Sequence, residues 1–191
     1  MKTQNNVALK EWAVVLKALE EGKQTILLRK GGITEAAEGY SPEHPEFFLF
    51  PTIEEESAHN FKPDWRPRVP AIERENKDPK RVHFHLYAVA EHADKITDWE
   101  TCKRLIPLTV MSDEAVEKAF NEGDWVGLCL FLVRVYSLPV PMDLPNKPSY
   151  AADPLWVRLE TSMFTVGSFA AIPDGAWPYT RGKILKIVES A

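Results

Sequence analysis

Residues 7–21 place Leu9, Trp12, Ala13, Val15, Leu16 and Leu19 on one side of a helical wheel. Lys10, Glu11, Lys17, Glu20 and Glu21 fall on the other side, with Val14 the one apolar residue among them. This pattern predicts a helix capped by Asn6 and ended by Gly22. Residues 25–29 then read as a buried strand, stopped by Gly31 and Gly32, and residues 46–50 as a second strand closed by Pro51. Between them, residues 33–45 read as a loop. From 82 to 91 strict alternation places His83, His85, Tyr87 and Val89 on one face, with Val82, Phe84, Leu86, Ala88 and Ala90 on the other. Short helices are predicted over 98–106 and over 112–122, the latter with Ser112 as cap and Gly123 at its end. The near-continuous apolar run 125–138 predicts a central strand covered on both faces, interrupted by Arg134. Prolines 139, 141, 145, 148 and 154 predict a stiff extended crossing, and residues 155–160 and 183–188 read as further strands.

The periodicity fails over 54–81, a stretch rich in proline and charge and too long for a simple connection. It is expected to form a flap or a surface arm within one domain spanning 1–191, with the least protected backbone of the chain. Its second half is locally basic, with Lys62, Arg66, Arg68, Arg74, Lys77, Lys80 and Arg81. That matters because the whole chain is acidic, with net charge −5 and pI near 5.6. A general polyanion-binding surface is thereby disfavoured and a local basic patch is left open. The fold class is α+β: one domain with a curved mixed sheet or partial barrel of PUA-like type, packed by the 7–21 helix and two smaller helices. An open α/β sheet is the alternative.

Cys102 and Cys129 lack CxxC spacing, so two free thiols in a reducing, cytoplasmic setting are expected. The polar opening Met1–Asn6 gives no secretory leader, and no apolar run reaches the length of a membrane span. The chemistry concentrates at the predicted strand end, where Arg29 and Lys30 meet two glycines. Two cations beside unhindered amides make an anion cradle, with Lys23, Arg29, Lys30, Gly31, Gly32, Arg134 and Trp12 as its candidate residues. The competing reading is a tight turn with exposed cations. Arg134 is equally suited to an ion pair with a glutamate such as Glu11. His83 and His85, on one strand face, have a usable metal spacing, with His44, His59 or His92 as a third ligand. No His-Glu-x-x-His motif or paired cysteines accompany them, and no cofactor is expected. The Asp98-Trp-Glu100 and Lys103 set falls on a predicted helix, the wrong setting for a PD-(D/E)xK nuclease.

The blocks LKEWA…GKQTILLRKGGI, HPEFFLFPT (44–52) and VRVYSLPVP…LWVRLE (133–160) carry a family resemblance. Over most of residues 7–160 the chain resembles a bacterial and cyanobacterial domain family of unknown function, numbered eighteen hundred and two. Such domains are joined in places to Mrr-type restriction endonuclease domains. The resemblance therefore implies a restriction-modification or defence role and a restriction endonuclease subunit as partner. The chain departs from the family pattern at Glu54-Glu55-Glu56, where a His-Gln pair is expected. More loosely, Gly22, Lys23 and Arg29 resemble the Gly-x-Lys-x-x-x-x-Arg opening of PUA-like ASCH domains, with Lys23 one place early. Three functions stay open: a non-catalytic reader of DNA or RNA, including modified bases; a metal-dependent nuclease or hydrolase using His83, His85 and nearby carboxylates; and a protein-interaction module.

Overall fold

The computed structural model describes residues 1–37, 39–53 and 58–190; Glu54–Glu56 lie outside them. In chain order the elements are β1 (Gln4–Trp12), α1 (Ala13–Glu20), β2 (Ile26–Arg29), β3 (Ile33–Ala36), β4 (Gly39–Pro42), β5 (Glu46–Thr52) and α2 (Val69–Asn76). There follow β6 (Arg81–Ile96), α3 (Trp99–Leu105), α4 (Asp113–Asn121), β7 (Leu128–Pro145), β8 (Trp156–Phe164), β9 (Phe169–Ala170) and α5 (Trp177–Glu189). The main sheet has the order β2-β7-β6-β5-β1-β8, with β9 also paired to β7. It is mixed, because β1 runs parallel to β5 while the other pairs are antiparallel. The sheet does not close into a barrel, and the architecture is α+β. Among the described residues no helix is long and apolar enough to cross a membrane.

The predicted 7–21 helix divides at Trp12. Its first half is the strand β1, where Val7 and Leu9 face one core and Ala8 the other, the period-two signature of a sheet. Asn6 is no helix cap; its side chain donates to Leu159 O at 3.1 Å, across to β8. In the second half, α1 buries Ala13, Val14, Val15, Leu16, Ala18 and Leu19, so it is covered nearly all round. The chain from 58 to 76 supplies that outer cover. Phe61, Trp65, Val69 and Ile72 join α1 in one apolar cluster, and the Trp12 and Phe61 rings meet edge to face at 5.6 Å.

Three cations of the basic stretch also turn to the protein itself. Lys62 donates to Ile106 O and Thr109 O at 3.0 and 2.6 Å, Arg66 donates to Phe61 O at 2.9 Å, and Arg68 pairs with Glu21. The predicted loop 33–45 contains the β3–β4 hairpin. Residues 183–188 are not a strand but the second half of α5, which buries Trp177, Ile184 and Val188 at helical spacing.

β7 separates the two faces of the sheet. Cys129, Phe131, Val133 and Val135 point toward α1, while Leu128, Leu130 and Leu132 point toward α3, α4 and α5. A third, aromatic cluster (Phe48, Phe50, Phe84, Tyr87 and Tyr150) joins β5 and β6 to β8 through the curvature of the sheet. The strict alternation expected for 82–91 is broken by a register shift between Phe84 and Leu86. The shift puts Phe84 and Tyr87 together in the aromatic cluster and turns Leu86 toward α1. Prolines 139 and 141 fall where β7 shifts register between Ser137 and Met142, a site that tolerates missing amide donors.

Candidate nucleic-acid interface

Arg29 and Lys30, expected at the rim of an anion cradle, both turn inward. Arg29 Nη1 donates to Lys10 O at 2.7 Å and to the Glu11 carboxylate at 3.3 Å. Lys30 Nζ donates to the carbonyls of Phe120, Trp125 and Gly127 at 3.1, 2.7 and 2.7 Å, tying β2 to the segment after α4. Lys30 and Lys95 each lie 4.5 Å from the Trp125 ring centre. Trp12 packs against the α1-side core, Lys23 is exposed, and Arg134 pairs with Asp174. Glu11 is thus the partner of Arg29 and not of Arg134. The structure groups Arg29, Trp12, Gly31 and Gly32 near one end of β1, and sets Arg134 apart in the middle of β7.

Gly31 and Gly32 take φ of 82° and 86°, the left-handed region that glycine enters without strain. The Gly31 amide bonds to Cys129, whose thiol burial pushes up. Gly32 serves close packing: a Cβ there falls 3.0 Å from Leu155 Cδ2 and 3.1 Å from Phe131 Cζ. Gly32→Ala is therefore expected to cost about 1–3 kcal/mol from overpacking, on top of the backbone penalty. Gly31→Ala, at nearly the same φ but with only an ordinary contact at 3.7 Å from Leu155 Cδ2, isolates the backbone part. Urea unfolding of the two variants measures the difference.

Just beyond Gly32 lies a cavity of about 340 Å³ lined by Val7, His44, Ser149, Asp153, Trp156 and Arg158, among others. Four separate pieces of chain build it. The Asp153 carboxylate accepts from the amides of Leu155 and Trp156 at 2.7 and 2.9 Å, an Asx-type turn that sets the entry of β8. Lys10 Nζ donates to Asp153 O at 2.8 Å and Lys10 N to Leu155 O at 2.9 Å, fastening this turn to β1. Glu43 N donates to Gly32 O at 3.0 Å and so brings the β4–β5 connection alongside. His44 then stands edge to face with Trp156 at 4.8 Å, and Phe47 meets the same indole at 5.2 Å.

The electrostatics of the cavity are simple. Burial lowers the His44 pKa; Glu43 opposes this, while Arg158 and Lys2 add to it, so the ring is neutral at pH 7. Its two amide bonds hold Asp153 below the usual carboxylate range. Arg158 is exposed and makes no ion pair among the described residues. The Trp156 indole Nε1 is buried without a hydrogen-bond partner. Aromatic walls beside an exposed cation can stack a planar ring and hold a negative group next to it. In the sequence His44 is a candidate third metal ligand, and both His44 and Trp156 fall within blocks that carry the family resemblance; nothing there brings the two rings together.

His83 and His85 do stack, with ring centres 5.4 Å apart. Each has its own acid: His83 Nδ1 lies 2.8 Å from Asp143 Oδ1, and His85 Nε2 3.7 Å from Glu20 Oε1. Among the described residues no three His, Cys, Asp or Glu side chains gather to hold a metal ion. Cys102 and Cys129 are free and buried, and burial pushes the Cys102 thiol up to about 12, far from a reactive thiolate.

No curated protein matches the chain. Among solved structures, an ASCH protein from Zymomonas mobilis is similar at 11% identity and a TM-score of 0.43, over 92% of this chain and 93% of that one. A single-residue variant of the same protein gives 11% identity and a TM-score of 0.44, over 95% and 98%. A family model matches residues 8–178, taking in the second half of β1, the rest of the main sheet and the first two residues of α5. The chain belongs to this family, a domain of unknown function (DUF1802).

Proposed function

We propose that the protein binds nucleic acid without catalysis and seats one unpaired or flipped base in the His44–Trp156 cavity. The observation that carries this reading is a cavity of about 340 Å³ whose aromatic wall, His44 edge to face with Trp156, stands beside the exposed cation Arg158. An unpaired base stacks on such a wall whatever its sequence, and extruding it costs least where it is already unpaired. The volume falls within the roughly 300–1,000 Å³ of small-ligand sites. Arg158 supplies a phosphate contact locally, which suits a chain whose total charge repels polyanions. In the restriction-modification or defence setting implied by the family resemblance, such a cavity reads a modified base. Arg29, Gly31 and Gly32 then act from behind the cavity: Arg29 holds Lys10, Lys10 holds Leu155, and Gly32 gives Leu155 its seat.

Titration against single- and double-stranded oligonucleotides, modified and unmodified, at two salt concentrations tests this. Trp156→Ala is expected to lose about 1–3 kcal/mol of binding, the value of one base stack. Arg158→Ala is expected to flatten the salt slope by about 0.7 for a single strand. Absence of binding to every oligonucleotide at low salt removes the proposal.

A further inference from the structure

Arg134 sits within the central strand, between Val133 and Val135, which are both buried. A cation placed there loses hydration, and only a close, equally desolvated partner offsets that loss. The partner present is of another kind. Arg134 Nη2 donates to the Asp174 carboxylate, yet the Asp174 side chain keeps 91% of its exposure against 19% for Arg134. The Nε of Arg134 is buried with no hydrogen-bond partner among the described residues. The Tyr136 and Trp177 ring centres lie 5.6 and 5.5 Å from the guanidinium. Trp177 is fixed in turn, its Nε1 donating to both oxygens of Glu91 at 3.0 Å, and Arg181 Nε lies 3.3 Å from the same carboxylate. An arginine held rigidly by aromatic rings, with donor capacity to spare, is built to receive a two-oxygen anion.

We infer that Arg134 is the recognition group of a second site, which takes an oxyanion, either a carboxylate or a phosphate monoester. Asp174 occupies its seat as an intramolecular stand-in. The stand-in explains why so exposed an acid is bonded to so buried a base. Asp174 lies between β9 and α5 on a turn closed by Ala176 N and Trp177 N, which donate to Pro173 O at 2.9 and 3.1 Å. Beside it Gly175 has open space around it. Displacing Asp174 moves a carboxylate already in water further into water and gives up a pair whose acid member is solvated, while the incoming anion keeps Arg134 paired. The incoming anion bonds the same guanidinium edge and brings a second oxygen within reach of the unused Nε. This site stands apart from the His44–Trp156 cavity and does not depend on the reading given to that cavity.

Calorimetric titration with inorganic phosphate and, separately, with acetate at constant ionic strength decides the matter. Asp174→Asn is expected to tighten binding of the preferred anion about two- to fivefold, the strength of the competing exposed pair. Arg134→Gln is expected to weaken it at least about tenfold. Stronger binding of phosphate assigns a phosphate monoester, and stronger binding of acetate a carboxylate. Equal binding by wild type and Asp174→Asn overturns the inference. So does a folded Arg134→Gln that binds like wild type, or silence from every protein with both anions. Where Arg134→Gln does not fold, Asp174→Asn decides alone. Its melting temperature must rise more with the anion than that of wild type, and an equal rise overturns the inference.

Discussion

Glu11→Ala is expected to lower the unfolding free energy by about 3–5 kcal/mol, the cost of leaving a buried cation without its anion. Arg29 and Glu11 keep only 16% and 14% of their side-chain exposure. Burial presses the Arg29 pKa downward, and Glu11 is the foremost group opposing that pressure. Remove Glu11 and the guanidinium retains one bond, to Lys10 O, while its Nε has no partner already. The effect should appear as a lower urea midpoint with an unchanged m-value. Replacing both members, as Glu11→Leu with Arg29→Met, is expected to recover most of the loss, since apolar residues of similar volume do not need pairing. A Glu11→Ala protein within about 1 kcal/mol of wild type places the pair at the solvated surface and refutes its structural role.

Phe61→Ala is expected to cost a similar amount, about 3–5 kcal/mol, through lost burial and the cavity left behind. Phe61 is completely buried and packs on Trp12, and an isolated bridge to Met111 joins its backbone to the segment before α4. The neighbouring bonds Lys62 N to Val110 O at 3.0 Å and Ser112 N to Asn60 O at 2.8 Å make that junction double-sided. We propose that this proline-rich excursion is part of the cooperative core over its described residues. Hydrogen exchange over 58–76 should then approach that of β7. Free exchange there, with Phe61→Ala melting like wild type, returns the segment to the status of a surface arm.

The elements legible in the sequence were those whose cause is local. Ser112 and Asp98 cap α4 and α3 through bonds to residues three positions on. The apolar run 125–138 needs no partner to reveal a strand covered on both faces, although the strand itself runs from Leu128 to Pro145. β1 was illegible because its reason for being extended lies elsewhere: Ala8 is paired with Phe48 on one side and Val157 on the other. With those partners out of sight, the same residues fit a helical wheel. The bulge at His85 and the helical seat of Ile184 and Val188 are likewise tertiary choices. Arg29 and Lys30 were visible as cations, but the groups that claim them, Glu11 and the carbonyls of 120, 125 and 127, were not. The cavity had no motif to announce it, since His44 lies more than a hundred residues before Asp153, Trp156 and Arg158.

The seating of β1 between β5 and β8 also sets a timetable. At synthesis rates of about 5–20 residues per second, roughly 7–30 s pass between the emergence of Ala8 and that of its partner Val157. Throughout that interval one edge of the first strand has bare amides and carbonyls, a template for pairing with the wrong chain. The parallel partner β5 is complete by Thr52 and can cover the other edge much earlier, whereas β2, which bears Arg29, has its own sheet partner only in β7. The edge of β1 that faces β8 is thus the last part of the main sheet's β1 seam to be covered.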